Sequence, residues 1–252
     1  MFPSLSLSHC FALGGRFTMS VPMPTPRPVP VPGAYLRSPI GLGRATVSLL
    51  GLVIAADLFA VYADLVLYDV TGDLMNGATG GAATGRLDDA ETLNSVAGGV
   101  QSVALLLCVI VYLCWFWRVR ANAGVFAPQA QSMKPGWAIG GWFVPIVSLW
   151  YPRRITRDIW DASSPVGARR SYVLVNAWWT LWLLSLLGDR LGTVDYGKAD
   201  AADQMHSGAY QSMISDGLDI AAGVLAILLV LRLTRMQNEK ALAGPGAAPV
   251  GV

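Results

Sequence analysis

The sequence predicts an all-α polytopic membrane protein of about four transmembrane helices, with an interfacial or re-entrant Trp/Pro segment between the second and third. Three observations predict it. Charged residues make up only 13% of the chain, against roughly 25% in soluble domains, and hydrophobic residues make up 54%. Apolar residues fall in long blocks, where a soluble core would show them as an interrupted stripe. The connections between blocks alternate between basic and acidic, as positive-inside sorting produces. The blocks read as helices because hydrocarbon admits only helices or closed barrels, and no alternating ten-residue pattern occurs.

Residues 1–38 read as a disordered, Pro-rich cytoplasmic tail. From Pro22 to Pro32 every second residue is proline, which forbids a helix and favours extended polyproline II. Phe2–Leu13 has no basic start, and Pro3, Ser4, Ser6, Ser8 and His9 break its apolar run, so it does not read as a signal peptide. Met19 is an alternative start.

A four-helix transmembrane domain is expected over 45–235. The first span, 45–68, is interrupted only by Asp57 and Asp64. Its 24 residues reach roughly 36 Å, enough to cross a hydrocarbon core of about 30 Å with tilt. The second, 96–117, carries no charge and ends on Arg118 and Arg120. The third, 172–188, is shorter and dense in Leu and Trp. The fourth, about 213–233, has its charge-free heart at 220–231, which places Asp219 at or just inside a membrane boundary. Residues 236–252 read as a flexible cytoplasmic tail.

The basic residues set the orientation. The segment before the first span, the long middle connection and the end of the fourth span hold 15 of the 18 Lys and Arg. The other two connections hold Arg86, Arg190 and Lys198, together with most of the loop acids. Both termini and the middle connection are therefore expected in the cytoplasm of a multi-pass cell-membrane protein.

The middle connection is too long for a turn. Its apolar run, Trp137–Trp150, has a length suited to an interfacial, re-entrant or buried segment rather than a span. Gly140, Gly141 and Pro145 weaken a continuous helix there. Pro152 then suits the first turn of a new helix. Over Pro152–Ser163, Ile155, Thr156, Ile159 and Trp160 share one face, and Arg153, Arg154, Arg157, Asp158 and Asp161 the other. Residues 137–163 thus read as a cytoplasmic amphipathic segment, its apolar face in the headgroups and its arginines on anionic lipid or a partner. All nine tryptophans fall between Trp115 and Trp182. Trp115, Trp117, Trp137 and Trp150 fit interfacial anchoring, while Trp178, Trp179 and Trp182 lie deeper and must pack.

The stretch Trp142-Phe-Val-Pro-Ile-Val-Ser-Leu-Trp-Tyr-Pro152, followed by Arg157-Asp-Ile-Trp-Asp-Ala-Ser163, resembles the signature of an actinobacterial membrane-protein family, the domain of unknown function 4328. Its distinguishing residues here are Trp142, Pro145, Trp150, Pro152 and Trp160. One departure is Tyr151, where the family more often carries a basic residue. The resemblance covers about 45–235 and implies a location and a topology, with no activity or catalytic residue. A strong excess of Arg over Lys, 15 to 3, also suggests a GC-rich bacterial genome.

Asp57 and Asp64 are two helical turns apart and share a face with Tyr68. Asp57 lies about 18 Å along the helix from Ala45, so its carboxylate should face the bundle interior, neutralised or paired. Asp216 and Asp219 share a face with Gly223. The plain reading of Asp216 is a helix N-cap. An outward-facing cavity holding Asp57, Asp64, Asp216 and Asp219 is the functional alternative. Gly51, Ala55, Gly98, Gly99 and Gly223 are the small residues available for close helix approach.

No chemistry is legible. Cys108 and Cys114 project in different directions from one helix, and His9 and His206 have no second ligand at a metal spacing. Gly-x-Ser-x-Gly, His-Glu-x-x-His and phosphate-loop motifs are absent. No enzyme activity, cofactor, metal site or nucleic-acid partner is therefore expected. The preferred reading is a non-enzymatic cell-envelope component with an interaction or regulatory role. It would meet anionic headgroups and a membrane or cytoplasmic protein through Arg153, Arg154 and Arg157. The alternative is a small proton or cation transporter or channel using Asp57, Asp64 and Asp219. A membrane enzyme, such as an aspartyl protease pairing Asp57 with Asp219, ranks last.

Overall fold

The computed structural model describes residues 35–165, 167, 171–192 and 201–244. The polyproline expectation for 22–32 lies outside them. The described chain forms six helices: α1 Ile40–Met75, α2 Gly81–Phe126, α3 Trp137–Phe143, α4 Tyr151–Ser163, α5 Val173–Gly192 and α6 Ala201–Ala243. Single 3₁₀ turns stand at Pro128–Ala130 and Val147–Leu149, and no strand occurs among the described residues. Helices α1, α2 and α6 are long and apolar enough to cross a membrane, while the apolar part of α5, Val173–Gly188, is shorter.

The three long helices exceed the spans read from hydropathy. At 46 residues α2 is roughly 69 Å long, more than twice a hydrocarbon core, so its ends must project into polar surroundings. The projection at the N-terminal end of α2 is ordered by packing. Leu67 and Val70 of α1 close on Ala90 of α2 and Ala209 of α6, and Arg86 pairs with Asp73 at 2.8 Å and Asp69 at 3.6 Å. His206 stacks on Tyr68 at 3.7 Å and donates from Nδ1 to its carbonyl at 3.0 Å. The glycine-rich stretch from Gly77 is only a short turn. Gly77 (φ +96°) and Gly80 (φ +99°) take left-handed values there, and α2 begins at Gly81.

Helix α1 packs along both α2 and α6, and α5 packs against α6. The α1–α2 seam runs on alanines: Ala90, Ala97 and Ala104 recur every seven residues on α2, and Ala56, Ala60 and Ala63 are buried on α1. The expected glycines contribute less. A Cβ on Gly51, Gly98 or Gly99 would meet nothing within 4 Å, whereas Gly223 faces Ile54. The tightest approaches are Gly43 to Thr234 and Gly188 to Ser215, each leaving a Cβ only 2.7 Å from a hydroxyl oxygen.

Helix α4 corrects the surface-anchor expectation. Its apolar face is real, but Ile155, Ile159 and Trp160 are buried in the main core beside Phe116, Val119, Val175 and Leu233. That face is spent on protein and is not available to headgroups. Trp115 is likewise no interfacial anchor: it is fully buried and donates from Nε1 to Thr234 at 3.0 Å. Trp117 and Trp150 remain exposed.

Residues 236–243 also differ from a flexible tail, because α6 continues to Ala243, and the expected tail from residue 245 lies outside the described residues. Gln237 is buried there, accepting from Asn122 at 3.0 Å and donating to the Val119 carbonyl at 2.8 Å and the Ser163 hydroxyl at 3.2 Å. Lys240 donates to the Ala162 carbonyl at 2.7 Å, satisfying the end of α4. Asn122 also holds the backbone of Arg37. Basic residues distant in sequence thus gather at one end of the bundle.

Candidate functional site

Helices α1 and α2 run antiparallel, so stepping seven residues forward on one means stepping seven back on the other. Asp57 and Asp64 on α1 therefore face Gln101 and Asn94 on α2. Asn94 donates to Asp64 Oδ1 at 2.6 Å. Gln101 donates from one nitrogen to Asp57 Oδ1 at 3.1 Å and to Asp216 Oδ1 of α6 at 2.9 Å. The two aspartates of α1 are buried, Asp57 at 5% exposure, and both amide partners sit where the heptad seam delivers them.

These groups line a cavity of about 690 Å³ walled by α1, α2, α5 and α6, with α3 closing one end. Asp57, Asp64, Asp216 and Asp219 all face it. The four aspartates expected from sequence thus share one cavity. Asp216 is not a helix cap, because α6 begins fifteen residues earlier, at Ala201. The pair that Gln101 joins is Asp57 and Asp216, not the Asp57 and Asp219 of a protease reading. No Lys, Arg or His among the described residues lines the cavity. Nor do the described residues contain three or more His, Cys, Asp or Glu grouped to hold a metal ion.

The opposite end of the cavity is aromatic. Trp142 of α3 is the hub, with Tyr112 at 5.6 Å, Phe116 at 5.9 Å, Trp179 at 6.1 Å and Trp182 at 5.6 Å between ring centroids. The first two lie on α2 and the last two on α5, so α3 stands as a wedge between helices that otherwise pack little against each other. Three buried polar atoms of cavity-lining residues have no partner among the described residues: Asp57 Oδ2, the Tyr112 hydroxyl and Trp142 Nε1.

The remaining motif residues build the wedge. Pro145 accepts a 2.7 Å bond from the Val147 N–H across Ile146, whose φ of 66° and ψ of −56° make a strained γ-turn. This reversal lets α3 enter and return. Trp150 precedes α4, Pro152 occupies its first turn, and Trp160 lies under the Arg232 guanidinium at 5.2 Å. Each of the three arginines has a neighbour within the protein. Arg153 donates to Asn176 at 2.9 Å, Arg154 to Ser132 at 3.2 Å, and Arg157 lies 4.4 Å over the Tyr172 ring.

Sequence reasoning missed Gln101, Asn94 and Tyr112. The signal that finds Asn94 and Gln101 is their heptad register opposite Asp64 and Asp57, available once α1 and α2 are taken as an antiparallel pair.

A family model described as Domain of unknown function (DUF4328) matches residues 78–235. The match takes in Asn94, Gln101, the Trp/Pro motif and Asp216. It starts later than the resemblance, so α1 with Asp57 and Asp64 falls outside it. No curated protein and no solved structure matches the chain.

Proposed function

The chain belongs to the family of the domain of unknown function DUF4328, and we propose that it is a multi-pass cell-membrane protein whose acid-lined cavity binds a cation, in the manner of a small transporter. One observation carries this reading. Asp57 is 5% exposed, one of its oxygens has no hydrogen-bond partner among the described residues, and it faces a cavity that no described basic side chain enters. An unpaired buried carboxylate is costly, and a cationic ligand removes that cost.

The topology that goes with it has α5 as a fourth, short span and the Trp/Pro segment as a re-entrant wedge. Both termini and the Arg153 end lie in the cytoplasm, supported by the basic excess at that end. An actinobacterial source accords with the excess of Arg over Lys. No catalytic role is assigned. The interaction reading rested on Arg153, Arg154 and Arg157, and each has a partner inside the protein.

The test is equilibrium binding of monovalent cations to the purified full chain in lipid nanodiscs, with sodium, tetramethylammonium and tetraphenylphosphonium as probes. Saturable binding of at least one, lost in Asp57→Asn, is expected. Wild-type protein that binds none of them overturns the proposal.

A further inference from the structure

We infer that the cavity opens sideways, between α2 and α5, onto the hydrocarbon of the bilayer, and that its ligand is a lipophilic organic monocation arriving from the membrane phase. This rests on the cation reading above and names the ligand class.

The opening is visible in residues that belong to the cavity wall and the outer surface at once. Leu105 and Val109 on α2 line the cavity and are 54% and 39% exposed; Leu186 on α5 lines it and is 41% exposed. Below them the α3 wedge bridges the two helices through Trp142, and above it α2 and α5 stand apart. The level of this mouth follows from α2. Leu105 and Val109 fall inside the charge-free stretch 96–117, and their neighbours Val103, Leu106 and Ile110 are exposed and apolar. Surface of that composition lies among acyl chains.

A mouth onto hydrocarbon selects its ligand. A small hydrated ion loses its hydration shell there at a cost of tens of kcal/mol by Born solvation, whereas a cation wrapped in apolar groups partitions into the membrane. The interior matches such a molecule in two places. At the level of Gln101, Asp57 and Asp216 offer negative charge. Eleven residues along α2, roughly 16 Å away, Tyr112, Trp142, Trp178 and Trp182 offer ring faces to an apolar or cationic body. A volume of about 690 Å³ falls within the roughly 300–1,000 Å³ of small-molecule sites.

The experiment uses the full chain in nanodiscs with radiolabelled tetraphenylphosphonium, and tetramethylammonium as a hydrophilic competitor. Saturable binding is expected, weakened at least tenfold in Asp57→Asn and in the double variant Asp57→Asn/Asp216→Asn. An excess of tetramethylammonium should not displace it. Narrowing the mouth with Leu105→Trp and Leu186→Trp should slow association several-fold and leave the purified protein monodisperse. If tetramethylammonium or sodium binds in an Asp57-dependent way and tetraphenylphosphonium does not, the lipophilic class is wrong and the cation reading stands. If no cation binds, both fall. Tetraphenylphosphonium binding unchanged in the double variant is partition into lipid, and it overturns the inference.

Discussion

Gln101 and Asp57 are joined by a single 3.1 Å hydrogen bond from the amide nitrogen to Oδ1, and the second carboxylate oxygen of Asp57 is buried without a partner among the described residues. The same nitrogen also reaches Asp216 at 2.9 Å, so one amide ties three helices together. The consequences of altering the two residues differ in sign. Asp57→Asn removes a desolvated charge and keeps an acceptor for Gln101, so the unfolding midpoint should hold or rise. Gln101→Leu strips a donor from the buried Asp57 carboxylate, at roughly 1–3 kcal/mol, and from the half-buried Asp216 carboxylate. Thermal unfolding followed by circular dichroism in detergent should show that variant clearly destabilised; equal midpoints for the two variants would refute the arrangement.

Trp142 fills the space between α2 and α5 by packing, with no hydrogen bond from its indole nitrogen to any described residue. Trp142→Phe should therefore cost little and Trp142→Ala about 3–5 kcal/mol. The same unfolding assay separates them. A large loss in the Phe variant would mean that the nitrogen has a partner.

Ile146 is a β-branched residue at a positive φ, and its side chain is 69% exposed. Glycine adopts that conformation freely, and little packing is lost with the side chain. Ile146→Gly should accordingly stabilise the protein by about 1 kcal/mol, within the usual range for relieved backbone strain. A destabilised variant would place Ile146 outside the γ-turn.

The helices and the acid cluster were legible in the sequence because hydrophobic blocks and ionisable residues within them are strong local signals. Asp57, Asp64, Asp216 and Asp219 do share a cavity. What was not legible is which apolar surface meets which. The stripe of Ile155, Ile159 and Trp160 has the same pattern whether it lies on lipid or on protein, and here the bundle core takes it. The helical run past residue 235 was hidden for a related reason. Its anchor is Gln237, a polar residue whose burial depends on partners on α2 and α4, far away in the chain.

Topology is open to cysteine labelling, and the structure selects the positions. Ser163 is buried and a poor probe, whereas Ser95, just before the charge-free stretch of α2, and Gln129, in the 3₁₀ turn that follows α2, are exposed. In a background lacking Cys10, Cys108 and Cys114, an impermeant maleimide applied to intact cells should label Ser95→Cys and spare Gln129→Cys. The reverse pattern would invert the protein in the membrane.

The most direct test of cation binding by the aspartate-lined cavity is thermal unfolding of the wild-type chain and Asp57→Asn/Asp216→Asn, titrated with sodium, tetramethylammonium and tetraphenylphosphonium. A ligand that binds only the folded state stabilises it by about 2.7 kcal/mol at a concentration one hundred times its Kd. The wild type should gain stability with rising tetraphenylphosphonium, and the double variant should not. A wild-type midpoint that none of the three cations raises above its response in the double variant would contradict a cation site at Asp57 and Asp216.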